Sequence, residues 1–85
     1  MATQVTVRYF ASVREMLGKG SETLQTDAPT LAALRDELIA RGAPYADALA
    51  RGKAVRMALD QVMSAETAPL GEGSEVAFFP PVTGG

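Results

Sequence analysis

The chain contains no cysteine, no histidine and no tryptophan among its 85 residues. Without cysteine there can be no disulfide, no thiolate nucleophile and no Cys-based zinc site. Without histidine as well, the Ser-His and Cys-His nucleophiles and nearly all transition-metal sites are excluded. Long apolar runs are missing too. None approaches the ~18 residues that a membrane span requires, and "MATQVTVRYF" lacks the basic segment followed by an apolar stretch that marks a secretory signal. A cytoplasmic protein that engages no membrane is expected.

Positive charge is absent from one end. Residues 1–57 hold all eight Lys and Arg with six acids, whereas residues 58–85 hold Asp60, Glu66, Glu72 and Glu75 and no base. No basic stripe interleaved with aromatics occurs, so nucleic acid is not an expected partner. The acidic end suits a partner with a basic pocket, or it is a set of solvated turn charges. A phosphate-cradling loop is also lacking, because "GKGSE" at 18–22 has neither the spacing nor the following helix and reads as a hairpin loop. Asp36 and Glu37 are adjacent on a helix and point in different directions, which suits a solvated face better than acid-base work.

What remains is an ordinary globular composition, 47% hydrophobic and 21% charged. A chain of this length forms one domain that buries roughly 60 to 65% of its unfolded surface. In "TQVTVRYF", Val5, Val7 and Tyr9 alternate with polar residues, predicting a strand with one buried face. "SVRE" offers Ser12 as a cap with Glu15 three positions on, opening a short helical turn that Gly18 closes. "SETLQT" reads as a second strand around Leu24. Thr30 can cap a main helix over 31–41, with Leu31, Leu34 and Leu38 on one stripe and Gly42 as the stop. Pro44 opens a further short turn, "PYADALAR", which Gly52 ends. Val55, Met57 and Leu59 alternate in a third strand, Asp60 and Gln61 turn the chain, and Val62 and Met63 return. "GEGSE" is a turn by composition, and "VAFF" is the last strand.

One leucine stripe must be buried against one sheet, which gives two layers. The order of elements predicts an α+β, ubiquitin-like β-grasp: a mixed sheet packed against one main helix, with the first hairpin antiparallel and the last strand central beside the first. In that last strand Val76 and Phe78 share one face, so Phe79 faces the other way, near Phe10 of the neighbouring strand. Two outward aromatics make an apolar patch that marks a partner site, unless residues 43–53 fold back over them. Met57 and Met63, at strand spacing, read as core or flanking residues, Met63 alternatively joining the patch, and Arg14 can form an ion pair at its rim. Pro80 and Pro81 cannot donate to the sheet and stop the strand. The chain therefore divides into a domain at 1–81 and a flexible tail at 82–85, in which Val82, Thr83, Gly84 and Gly85 can reach at most ~14 Å. Glycines at the tip carry no side-chain bulk, so the terminal carboxylate can enter a narrow slot.

"FFPPVTGG" at the C-terminus, "FASVREMLG" after the first strand and the run "PLGEGSEVAFFPP" resemble the MoaD family, the small sulfur-carrying subunits of molybdopterin synthase, over essentially the full length. That resemblance implies that the Gly85 carboxyl is adenylated by an E1-like adenylyltransferase (MoeB-like), which uses ATP, and is then converted to a thiocarboxylate by a sulfur donor protein. The tail would then enter the large (MoaE-like) catalytic subunit and give its sulfur to cyclic pyranopterin monophosphate, two transfers building the molybdopterin dithiolene of the molybdenum cofactor. The family assembles as a heterotetramer of two small and two large subunits. The small subunit is non-catalytic and binds no cofactor; Phe79, Phe10, Arg14, Met63, Pro80 and Pro81 are its expected partner contacts. Asp60 stands where the family often has Asn, a turn substitution. Two alternatives stay open: a ubiquitin-like modifier joined through Gly85 to target lysines, and a sulfur carrier for thiazole synthesis.

Overall fold

Alternation in "TQVTVRY" builds β1 (Thr3–Tyr9), whose Val5, Val7 and Tyr9 are buried while the residues between them are not. In the computed structural model, residues 2–50 and 54–81 are described. The chain leaves β1 into α1 (Ala11–Leu17) two residues earlier than a Ser12 cap would allow. Phe10 is the N-cap and makes no side-chain capping bond; Ser12 and Glu15 lie inside the helix, so the expected capping box is not formed. The physical reason is the strand itself. Phe10 still pairs with the sheet, its N–H donating to the Phe78 carbonyl at 3.1 Å, and its own carbonyl accepts from Val13 and Arg14. Ala11, at φ 50°, makes the reversal between them. Gly18 closes α1 at φ 75° as expected, donating to the Arg14 carbonyl.

After the antiparallel β2 (Ser21–Thr26), Thr30 caps α2 (Leu31–Ile39) by accepting from the Ala33 N–H. The first two donors of the helix are satisfied by the loop that returns before the last strand. Leu31 N–H donates to the Ala68 carbonyl and Ala32 N–H to that of Glu66, so the helix start is saturated by backbone as well as by its cap. Leu31, Leu34 and Leu38 are fully buried. α2 stops two residues short of the expected end, because Arg41 and Gly42 donate three residues back, to Leu38 and Ile39, tightening the final turn before Gly42 reverses at φ 87°. Arg35 lies on the buried side as well. Its Nε and Nη2 donate to the carbonyls of Leu49 and Ala50, each at 2.8 Å, tying the end of α3 (Tyr45–Ala48) to α2. Gly52, the expected stop of that segment, lies outside the described residues.

β3 (Arg56–Leu59) and β4 (Val62–Met63) form a hairpin across Asp60 and Gln61, both at positive φ (51° and 70°), as a tight two-residue connection requires. β5 (Glu75–Phe79) runs between β1 and β3, giving the order β2-β1-β5-β3-β4. β1 and β5 are parallel and the other pairs antiparallel. Val7, Val76, Tyr9, Phe78 and Met57 face the helices in one continuous core with Leu34, Leu38, Val13 and Leu49. This is the β-grasp arrangement, with the last strand in the centre of the sheet.

Candidate functional site

Because β5 is central and its side chains alternate, Phe78 and Phe79 are committed to opposite sides of the sheet. Phe78 is fully buried and its ring stacks on Tyr9 at 6.1 Å between centroids. Phe79 is half-buried on the other, helix-free face. Register runs Arg8↔Ala77 and Tyr9↔Phe78 between β1 and β5, so Phe10 continues the row beside Phe79. The Arg8 guanidinium, two residues from Phe10 and on the same side, lies 5.7 Å from its ring centroid. Phe10 is 42% exposed and Met63 61%. Met63 pairs with Ala58, and Ala58 with Ala77, so Met63 closes the same face at its far edge.

The structure thus brings together Phe10, Phe79 and Met63 on one open face, with half-buried Pro80 and Pro81 leaving it at the end of the central strand. Arg14 is exposed but stands apart, its guanidinium lying against Gly20 just before β2. The described part of the 43–53 segment does not cover the patch. It packs on the core side, where Ala48 and Leu49 are buried and the Tyr45 ring meets Tyr9 edge-on at 6.4 Å. The tail, Val82, Thr83, Gly84 and Gly85, lies outside the described residues.

The acidic C-terminal third proves to be engaged locally. Glu66 pairs with Arg35 at 3.8 Å and Glu75 with Arg8 at 3.7 Å. Glu72 accepts from the Gln4 N–H, and Asp60 from the Glu75 N–H. A shallow, open depression of about 210 Å³ between Asp60, Gln61 and Glu75 is therefore a turn whose carboxylates already have partners.

Sequence reasoning missed a polar cluster on the core side. The hydroxyls of Tyr9 and Tyr45 each donate to Glu22 Oε2 at 2.8 Å, Arg41 Nη1 donates to Oε1 at 3.2 Å, and Lys19 lies 3.8 Å from the same carboxylate. Burial alone would raise the Glu22 carboxyl, but the two hydroxyls, the guanidinium and the ammonium outweigh it and hold the group below the ordinary glutamate range. Burial and the Glu22 acceptor push the Tyr9 hydroxyl far above its usual value. The cluster joins β1, β2, α3 and the second residue past α2. The signal available in the sequence was the polar tip on Tyr9, at a position whose neighbours Val5 and Val7 are purely apolar.

The comparisons with known proteins bear on the whole chain. The model of the ThiS family matches residues 7–85. Over 81 residues the chain is 43% identical to the molybdopterin synthase sulfur carrier subunit of Escherichia coli, covering 95% of this chain and 99% of that one. It is 39% identical over 79 residues to the subunit of the same name from Haemophilus influenzae, covering 93% and 96%. A solved complex of subunits 1 and 2 of the molybdopterin-converting factor from Helicobacter pylori contains a chain of similar fold, with TM-score 0.63, 26% identity, and 98% of this chain and 100% of that one covered.

Proposed function

Since the chain belongs to the ThiS family, among its molybdopterin synthase sulfur carrier subunits, we propose that it carries sulfur on its Gly85 carboxyl and delivers it within molybdopterin synthase. The observation that carries this reading is the 43% identity across 95% of the chain, together with a family match over residues 7–85, which include the central strand and the whole of "FFPPVTGG". Chemistry agrees. A carboxylate is a poor electrophile, so an E1-like partner first joins it to AMP from ATP, releasing pyrophosphate. Sulfur at the sulfide level, supplied by a donor, then attacks the acyl carbon: the C–S bond forms, the acyl C–O bond to AMP breaks, AMP leaves, and the thiol proton is lost to give a thiocarboxylate. The small subunit supplies no acid, base or metal to these steps and acts as a cosubstrate in the cytoplasm; catalytic groups sit on its partners. The open face around Phe79 docks the large subunit, with Pro80 and Pro81 directing the tail toward the cyclic pyranopterin monophosphate site. That a subunit 1–subunit 2 complex exists for a structural relative supports such a partner.

Intact-mass measurement tests the loading step. After incubation with an E1-like enzyme, ATP and a sulfur source, the chain should gain the difference between one sulfur and one oxygen atom, and a variant lacking Gly84 and Gly85 should gain nothing. A mass that never changes rules the reading out. Covalent adducts to lysines of other proteins, lost with the same deletion, would instead support a protein modifier.

A further inference from the structure

The helix-free face carries two arginines that the fold does not use for its core. Arg8 and Arg56 stand on either side of β5, Arg8 opposite Ala77 and Arg56 opposite Phe79. With strands about 4.8 Å apart and a two-residue offset of about 6.6 Å, their stems lie roughly 12 Å from each other diagonally across the sheet, astride the apolar patch. Arg8 is drawn toward Phe10 at 5.7 Å and toward Glu75 at 3.7 Å, yet its side chain stays 47% exposed. Arg56 is exposed, and among the described residues no carboxylate pairs with it. Glu75, the acid on the same face, is already paired with Arg8, and Arg56 stands directly opposite Phe79, so among the described residues the charge beside Phe79 is positive.

We propose that the surface docking on this face has an apolar centre rimmed by carboxylates, one meeting Arg56 beside Phe79 and one meeting Arg8. The inference rests on the reading that this face docks the large subunit, and it specifies that subunit's chemistry there. Guanidinium groups suit the role because they bind carboxylates in a fixed planar geometry and lie flat against aromatic rings at little desolvation cost. A basic partner surface would be repelled by the same pair. Glu75 then acts as an internal competitor, holding Arg8 until the partner's carboxylate replaces it.

Binding of the full chain to the purified large subunit at low and high ionic strength tests this. Arg56→Glu should weaken binding by about tenfold at low salt, chiefly through slower association, and the loss should shrink as salt is raised. Arg56→Gln should show the same trend at smaller size, and Glu75→Gln, which frees Arg8, should bind a few-fold more tightly. Thermal melting of each variant checks that the fold is retained. Both Arg56 variants binding as the wild type does, or Arg56→Glu binding more tightly, would overturn the proposal. Phe79→Asp separates the two levels: if it loses binding while the arginine variants do not, the docking face stands and the acidic rim falls. If Phe79→Asp also binds normally, the face is not the interface and both fall.

Discussion

Glu22 shows how one side chain can organise a small domain. Its two oxygens accept from Tyr9, Tyr45 and Arg41, so a strand, a short helix and the end of the main helix meet at a single carboxylate. Because these donors lower its pKa in the folded state, their contribution is complete above the unfolded glutamate value of ~4.3 and is lost as pH falls through the lower folded value. Glu22→Gln should therefore cost about 1–2 kcal/mol at pH 7, with the gap to the wild type closing in acid. Urea unfolding of both proteins at pH 7 and pH 3 measures this. A gap that stays constant with pH would mean the carboxylate's charge is not what the cluster uses. Arg35 makes a similar tie to backbone: its guanidinium donates to the buried Leu49 carbonyl and the part-buried Ala50 carbonyl while also pairing with Glu66.

Among the elements, the β3–β4 hairpin holds the clearest local strain. Gln61 sits at φ 70° with a side chain that its left-handed backbone disfavours. Gln61→Gly should raise stability by about 0.5–1 kcal/mol, read as an increase in melting temperature, since the relief of strain exceeds the added entropy of the unfolded glycine. Asp60 is best left in place because it accepts from the Glu75 N–H across the turn. The elements were readable in the sequence where pattern and burial coincide. Val5, Val7 and Tyr9 announce β1, the three leucines with Thr30 announce α2, and Asp60-Gln61 between two short apolar runs announces a hairpin. The start of α1 was misread because a capping motif is local, whereas Phe10 is held by a hydrogen bond to Phe78, 68 residues along the chain. The end of α2 was overshot because Gly42 marks the left-handed residue and not the tightened turn before it. The Glu22 cluster and the burial of Arg35 were invisible because both depend on which residues meet in space.

At the scale of the whole molecule, the sheet has two faces with different work, and β5 contributes to both. Among the described residues three helices cover one face and build the core with it, whereas the other face carries Phe10, Phe79, Met63 and two arginines. Phe78 and Phe79 are adjacent and of the same type, so replacing each by alanine separates folding from docking with little other chemistry changed. Phe78 is fully buried against Tyr9, so Phe78→Ala should cost about 3–5 kcal/mol of stability, enough to remove much of the margin of so small a domain. Phe79→Ala removes a half-buried ring from the open face and should cost about 1 kcal/mol or less in stability. Its effect on affinity for the large subunit should be larger, about 2 kcal/mol, or some thirtyfold, as for an aromatic anchor at an interface centre. Chemical denaturation gives the first quantity and titration calorimetry with the large subunit the second. If Phe79→Ala lost stability as heavily as Phe78→Ala, the outward face would be part of the domain's own packing. If it lost neither stability nor affinity, the docking surface would have to lie elsewhere. The expected result, one ring needed for the fold and its neighbour for the partner, follows from the two-residue period of a strand that leads directly into Pro80.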